Sequence, residues 1–256
     1  MALEAGKFFQ VWLSFYYAVG LTMQQPVVGV DPWVDVNQPT TLTCLPSGTP
    51  REVEWIKCVV HEQSCTASRP SSELVVRLLG SDVNWGGSID ISRFRFDKTQ
   101  SNYPLTITSV TLEDESVYSC RTNVAGQGYQ SASAPMRIRV PPSSIAVVYD
   151  STSHSSSTSI PIVAGENHQF TCNTPAVKPA ATLTWTIPAG GSSDQPLGNQ
   201  TNTPNTGNNN LTDSYNTVIV DIPKNPAVSQ IVCAATNRQD GSNAADIDIA
   251  VTLQVR

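Results

Sequence analysis

The segment from Trp55 to Cys65, WIKCVVHEQSC, contains the side chains of this sequence that are best placed for chemistry. Two residues separate Cys58 from His61, and three more separate His61 from Cys65. Thiolate and imidazole at such spacings bind zinc in many proteins. The same two thiols could instead form a redox-active pair or a structural disulfide. The compartment and the surrounding fold decide between these three possibilities.

Catalytic patterns elsewhere in the sequence are weak. His154 lies in the Ser-rich segment 151–159, and His168 precedes a predicted strand. Neither has a G-x-S-x-G nucleophile motif or an evident Asp to orient the imidazole. The chain also lacks H-E-x-x-H and a Gly-rich phosphate loop that opens a helix. We therefore predict a protein that is not an enzyme and that needs no cofactor and no metal.

The composition narrows the class of partner. The chain has 256 residues and a formal net charge of −6, and its 15 basic residues form no run. Nucleic acid and anionic membrane surfaces are therefore not favoured partners. Only 14% of the residues are charged, while Thr, Ser, Val, Asn and Pro are abundant, which favours strands and turns over helices.

The first twenty residues differ from the rest. Lys7 precedes the apolar run 8–17, and Ala-Val-Gly at 18–20 supplies the small residues that a signal peptidase reads. This pattern predicts a secretory signal peptide in residues 1–20, the alternative being an extension retained as a strand. No later stretch approaches 18 apolar residues, so we expect any membrane attachment to lie outside this chain. The predicted location is extracellular, as a secreted protein or a cell-surface ectodomain.

From residue 21 onward, short apolar or alternating segments are separated by turn residues, a pattern typical of β-strands. Pro141 and Pro142 divide these segments into two series. No helical period of comparable strength occurs. We therefore predict an all-β chain of two tandem sandwiches, residues 21–140 and 141–256.

Each half contains a cysteine, then a tryptophan, then a second cysteine. These residues are Cys44, Trp55 and Cys120 in the first half and Cys172, Trp185 and Cys233 in the second. The pattern resembles the framework of immunoglobulin domains, in which a disulfide joins the two sheets and the tryptophan packs on it. The resemblance implies one such bridge in each half, with both tryptophans in the cores.

The first half resembles a variable-type immunoglobulin domain over nearly all of residues 24–140. The segment EDESVYSC, 113–120, matches the family signature D-x-[GAS]-x-Y-x-C, which implies that Tyr118 forms a tyrosine corner. Arg93 stands where variable domains keep the arginine that pairs with the aspartate of the E–F turn, here Asp114. The 76-residue spacing of the two framework cysteines leaves room for the extra strands C′ and C″.

The second half resembles the C2-type domain of nephrin/neph-type and nectin-type adhesion receptors, most specifically in the segment FTCNTPAVKPAATLTW, 170–185. The same V–C2 order is found in immune-type receptors of invertebrate chordates. Residues 190–212 contain few apolar side chains and are predicted to form a mobile loop. Asn199 and Asn210 lie there in N-x-T acceptors, which a secreted chain could carry glycosylated.

Cys58 and Cys65 remain once the two frameworks are assigned. A structural zinc site would need a fourth ligand, which Glu62 could supply only in a strained loop. In an oxidising compartment two such thiols are expected to bridge, with a metal site and free or intermolecular thiols as the alternatives. Because Trp55 faces the core, Cys58 is expected on the opposite face, where its bridge would staple the C–C′ connection.

The resemblance implies an extracellular recognition or adhesion protein that binds a protein partner through the G-F-C-C′-C″ face of the first domain. A second copy of the chain is the first candidate partner. The candidate contact residues are Ile56, Cys58, Arg77, Trp85, Arg121, Asn123 and Tyr129. For Trp85 and Tyr129, packing against the sandwich is the alternative. The alternative function is a secreted innate-immune binder of a microbial surface or polysaccharide, since the variable-region chitin-binding proteins resemble this chain in their paired domains.

Overall fold

The computed structural model of the chain describes residues 26–29, 31, 33–58, 72–155, 158–187, 198–222, 230–242 and 244–256. The regular structure of these residues is β-strand, apart from one turn of 3-10 helix at Leu112–Asp114. The strands form four sheets, two within residues 27–139 and two within 146–255. The predicted all-β fold of two immunoglobulin-like sandwiches is confirmed. The predicted signal peptide lies outside the described residues, and none of the described helices is long and apolar enough to span a membrane.

The described residues of the first sandwich form ten strands, which are given their immunoglobulin letters. They are β1 Val27–Gly29 (A), β2 Trp33–Asp35 (A′), β3 Thr40–Leu45 (B), β4 Pro50–Cys58 (C), β5 Ser72–Leu79 (C′), β6 Asp82–Trp85 (C″), β7 Phe94–Phe96 (D), β8 Leu105–Ile107 (E), β9 Ser116–Val124 (F) and β10 Gly128–Arg139 (G). One sheet has the order β1-β3-β8-β7, and the other has the order β2-β10-β9-β4-β5-β6. Two strands beyond C on the G-F-C sheet are the mark of the variable-type arrangement.

The core of the first sandwich is built around Trp55. Its side chain is fully buried beside the disulfide that joins Cys44 to Cys120, and its indole N–H donates to the carbonyl oxygen of Tyr103 at 3.0 Å. Because strand side chains alternate, Val53 and Trp55 face this core while their neighbours along β4 face outward.

The turn between β8 and β9 is closed by polar contacts. The buried Tyr118 hydroxyl donates to the carbonyl oxygen of Asp114 at 3.1 Å, which is the geometry of a tyrosine corner. The Asp114 carboxylate accepts the backbone N–H of Thr111 at 2.7 Å and forms an ion pair with the Arg93 guanidinium. Arg93 also donates to the carbonyl oxygen of Ser109 at 2.8 Å, so the turn is attached to the start of β7.

The substitution Tyr118→Phe is expected to lower the free energy of unfolding at pH 7 by about 1–2 kcal/mol, because one buried hydrogen bond is lost. Burial raises the pKa of Tyr118 in the folded protein, so above the ordinary value of 10.0 the hydroxyl ionises first in the unfolded chain. Stability that depends on the protonated hydroxyl is therefore present below that pH and decreases above it. Urea unfolding at pH 7 and at about pH 10.5 should show that the gap in unfolding free energy between wild type and variant is narrower at the higher pH. A gap that is independent of pH would contradict this assignment.

The second sandwich has nine strands within the part of the chain that the structure describes. They are β11 Ala146–Tyr149 (A), β12 Thr152–His154, β13 Ser159–Ile162 (A′), β14 Asn167–Val177 (B), β15 Thr182–Thr186 (C), β16 Asn199–Pro204 (D), β17 Thr212–Asp221 (E), β18 Gln230–Thr236 (F) and β19 Ile247–Val255 (G). One sheet has the order β12-β11-β14-β17-β16, and the other β13-β19-β18-β15. This A-B-E-D and G-F-C division is that of constant-type immunoglobulin domains. The finer C2-type assignment stays a prediction.

Strand β16 corrects the prediction that residues 190–212 form a mobile loop, of which residues 190–197 lie outside the described residues. Residues 199–204 pair along their whole length with β17, and all six are exposed. The lack of apolar side chains correctly indicated that this segment does not enter the core. It did not exclude a strand, because an edge strand is held by backbone hydrogen bonds on one side and needs no buried side chain.

The two sandwiches meet through backbone and amide contacts. Val140 and Lys178 exchange two backbone hydrogen bonds, with N···O distances of 2.7 and 3.1 Å. The side-chain amide of Asn237, only 3% exposed, donates to the carbonyl oxygens of Val140, Lys178 and Pro179 at 2.8–3.1 Å. The linker that follows β10 is thereby attached to the B–C and F–G connections of the second sandwich.

Candidate functional site

The outer face of the six-stranded sheet carries two buried carboxylates. Glu52 and Glu54 project from β4 on the side opposite Val53 and Trp55, and only 3% and 5% of their surface is exposed. A buried carboxylate is costly unless cations or hydrogen-bond donors compensate it. The neighbouring strands are therefore expected to supply such partners, and they do.

Two arginines neutralise these carboxylates. Glu54 lies directly opposite Arg77 of β5 and Arg121 of β9, so the strand register places it between two guanidinium groups. The Arg121 Nε atom is 2.6 Å from Glu54 Oε2, and the Arg77 Nε atom is 3.4 Å from Glu54 Oε1. Arg77 also forms an ion pair with Glu52. The two positive and two negative charges cancel.

Tyr129 of β10 completes this arrangement. Its hydroxyl donates to Glu52 Oε2 at 2.5 Å, and the Arg121 guanidinium lies 4.5 Å from the centroid of its ring. The side chain is held from two sides, yet 54% of the residue remains exposed. We call Glu52, Glu54, Arg77, Arg121 and Tyr129 the paired-charge cluster. It presents an oriented aromatic ring to solvent.

The cluster lies close to three loops at one end of the sandwich, which in variable domains is the end that carries the recognition loops. The F–G turn at 125–127 is attached to the B–C loop by a hydrogen bond of 2.7 Å from Ser47 Oγ to Gln127 Oε1. The C′–C″ turn is attached to the start of β4 by the N–H of Gly80, which donates to the carbonyl oxygen of Arg51 at 3.1 Å. Leu45 and Leu79, at the ends of β3 and β5, are 55% and 50% exposed.

Ile56 and Cys58 lie on this face as expected, but they are buried, with 4% and 3% of their surface exposed. They form a small apolar cluster with Val117 of β9, which explains why they are not available as contacts. Cys58 is disulfide-bonded. Its predicted partner, Cys65, lies outside the described residues together with His61.

The other predicted contacts divide into two groups. Trp85 is half-buried and packs against the core of the first sandwich, away from the other candidates, and its role as a contact stays a prediction. Asn123 is half-buried on the outer face, directly opposite Tyr129 and next to Glu52 in the sheet. Of the seven predicted residues, the structure therefore brings together Arg77, Arg121, Asn123 and Tyr129.

Sequence reasoning missed Glu52 and Glu54, on which the whole cluster depends. The sequence feature that indicates them is the alternation Glu-Val-Glu-Trp at 52–55, which places both carboxylates on the face opposite the core. A search of that face for charged pairs across strands would have found them.

The histidines of the second sandwich make structural contacts or stay at the surface. His168 is buried, and its ring nitrogens lie 2.9 Å from the Tyr149 hydroxyl and 2.8 Å from the carbonyl oxygen of Val163. His154 is half-buried on the short strand β12. Within the described ranges, no three His, Cys, Asp or Glu side chains are grouped so that they could hold a metal ion.

Comparison with known proteins supports the fold. No protein-family model matches the sequence, and neither does any curated protein. Among solved structures, the crystal structure of murine CEACAM1b is similar with a TM-score of 0.56, covering 91% of this chain and 100% of that chain. The two sequences are 14% identical. At that level of identity the likeness is one of fold.

Proposed function

We propose that this chain is an extracellular recognition protein that binds a protein partner through the outer face of its first sandwich, centred on Tyr129. The two disulfides that join the facing sheets support an oxidising, extracellular setting. The observation that carries the proposal is the paired-charge cluster. It holds a half-exposed aromatic side chain in one orientation beside charged and polar side chains of the same sheet face.

Protein interfaces depend on a few anchors of this type. Tyrosine and arginine are enriched among the residues that dominate binding free energy, and an anchor already fixed in the free protein loses little conformational entropy on binding. Tyr129 meets both conditions, because Glu52 and Arg121 hold its ring before a partner arrives. Asn123, directly opposite Tyr129, and Leu79, directly opposite Glu52, supply polar and apolar surface on the same face.

The internal pairing of charges limits the type of partner. A strongly charged partner would have to compete with the ion pairs that Arg77 and Arg121 already form with Glu52 and Glu54. A partner with a largely neutral surface can dock on them without breaking these contacts, and its affinity should depend little on salt. A second copy of the chain, related by a two-fold axis, is the first candidate because the charges of its own paired-charge cluster also cancel.

The substitution Tyr129→Ala is expected to weaken self-association of the purified chain by at least about tenfold, since a central aromatic anchor contributes more than about 1.4 kcal/mol. Sedimentation equilibrium over a wide concentration range measures the dissociation constant. Arg95→Ala, an exposed change on β7 in the opposite sheet, is the matched control and should leave it unchanged. A wild-type chain that stays monomeric at millimolar concentration would exclude the self-association candidate. Equal constants for wild type and Tyr129→Ala would contradict the site.

A further inference from the structure

Every N-x-[ST] acceptor of the sequence lies on one hairpin of the second sandwich. Asn199 begins β16, Asn210 lies in the turn that leads into β17, and the two strands pair from Asn199↔Thr217 to Pro204↔Thr212. Both asparagines are exposed. An Asn-rich segment produces acceptors by chance, so the case for their use depends on how the hairpin presents them.

The side chains of β16 alternate between the facing sheet and solvent. The Gln200 amide faces β15, where its nitrogen donates to the carbonyl oxygen of Ala181 at 2.9 Å and its oxygen accepts the N–H of Leu183 at 3.2 Å. Because strand side chains alternate, Asn199 and Thr201 then project together from the opposite side of the strand, toward solvent. Asn210 is equally open, and only its backbone N–H is bound within the turn, by Asn208 Oδ1 at 2.9 Å.

A second feature of this hairpin is that β16 lies at the edge of its sheet. Among the described strands, β16 pairs with β17 alone, so its other side presents backbone N–H and C=O groups without a strand partner. Exposed edges of this kind can pair with another chain unless charge, proline, a bulge or a cover prevents it. The stretch from Asn199 to Thr203 contains no charged residue and no proline. Pro204 ends the strand, and in the five residues before it the backbone groups of alternate residues point outward from the sheet.

We propose that Asn199 and Asn210 carry N-linked oligosaccharides and that the glycan on Asn199 covers the free edge of β16. This proposal rests on the proposed extracellular function, because N-glycosylation needs passage through the secretory route. The glycans would keep the second sandwich from associating edge to edge. Partner binding would then be left to the face of the first sandwich.

Occupancy is tested by expressing the chain in cultured animal cells behind a heterologous signal peptide, so that entry into the secretory route does not depend on residues 1–20. Intact mass before and after peptide-N-glycosidase treatment should show two glycans. Asn199→Gln and Asn210→Gln should each remove one glycan, as should Thr201→Ala and Thr212→Ala. The matched control, Asn202→Gln with Asn209→Gln, changes exposed asparagines of the same hairpin outside the acceptors and should keep both glycans. Secreted protein without glycan at these sites overturns the proposal.

Coverage of the edge is tested separately by sedimentation, with Tyr129→Ala present in every sample so that the face of the first sandwich does not contribute. The double variant Asn199→Gln, Asn210→Gln is expected to self-associate at a concentration at least tenfold lower than the glycosylated chain. Adding Thr203→Lys, which places a charge on the edge, should reverse this increase in self-association. If the unglycosylated double variant stays as monomeric as the glycosylated chain, the covering role is wrong. Because the Tyr129 site is absent throughout, neither result depends on the proposed binding face.

Discussion

Joint replacement of Cys172 and Cys233 by alanine is expected to lower the free energy of unfolding of the second sandwich by about 4 kcal/mol. The disulfide closes a loop with a sequence separation of 61, for which the chain-entropy model gives a stabilisation of this size. Both cysteines are fully buried against Trp185, so the loss of their packing adds to the effect. Domains of this size are stable by about 5–15 kcal/mol, and the variant is therefore expected to be marginal.

The matched comparison is the joint replacement of Cys44 and Cys120, which removes a similar loop constraint from the first sandwich. That sandwich keeps its tyrosine corner at Tyr118, whereas Ile231 occupies the corresponding position of the second. We therefore expect the first sandwich to remain folded under conditions in which the second unfolds. Urea unfolding, followed through the amide NMR signals of each sandwich, measures the loss of unfolding free energy in each of the two double variants. Equal or greater unfolding of the first sandwich would show that the corner contributes little.

The fold was predictable because burial of one side of a strand produces a periodic pattern of apolar residues in the sequence. A strand with one buried face alternates, and a sheet-to-sheet disulfide with its tryptophan repeats in both halves, so Trp55 and Trp185 could be placed in the cores. Strand β16 has no such apolar pattern. Its six residues are all exposed, and it is held by backbone hydrogen bonds to β17 that do not depend on side-chain type.

The candidate site was predictable only in part, because its geometry depends on register. Alternation placed Arg121 and Tyr129 on the outer face, but it could not show that Glu54 lies opposite two guanidinium groups. That alignment depends on the pairing of β4 with β5, which shifts by one residue between Trp55 and Ile56. Nor could alternation show that Ile56 is buried, since burial on an outer face depends on residues from other strands.

A second large effect is expected at the junction of the two sandwiches, where Arg139 contacts both. Its guanidinium lies 2.5 and 2.8 Å from the two carboxylate oxygens of Asp35 in the first sandwich. In the second sandwich it lies 3.2 Å from Asp246 and 3.4 Å from the Asn237 side-chain oxygen. Arg139 is only 9% exposed, and the Asp246 side chain is only 6% exposed. One side chain therefore holds carboxylates from two domains.

The substitution Arg139→Met keeps the aliphatic part of the side chain and removes its charge. It leaves the buried Asp246 carboxylate with Arg238 as its remaining guanidinium partner, at 3.1 Å. Breaking a buried ion pair from one side costs about 3–5 kcal/mol, and the partial exposure of Asp35 reduces this to an expected loss of about 2 kcal/mol. Residual dipolar couplings should show a wider range of relative orientations of the two sandwiches than in the wild type, and urea unfolding should separate into two transitions. Lys178→Met, which removes a more exposed pair with Glu115, is the control and should change stability by less than about 1 kcal/mol.

The same contact predicts a dependence on pH. Hydrogen bonding by Arg139 holds the pKa of Asp35 below its ordinary value of 3.8. A carboxyl group whose pKa is lowered by folding contributes stability above its ordinary pKa, and the contribution is lost as the pH falls through the lowered value. Below about pH 4 the contact between the two sandwiches of the wild type should therefore weaken. Arg139→Met, which lacks the Asp35–Arg139 pair at every pH, should show little further change over that range. Equal acid sensitivity of the two proteins would mean that groups other than the Asp35–Arg139 pair determine how the junction responds to acid.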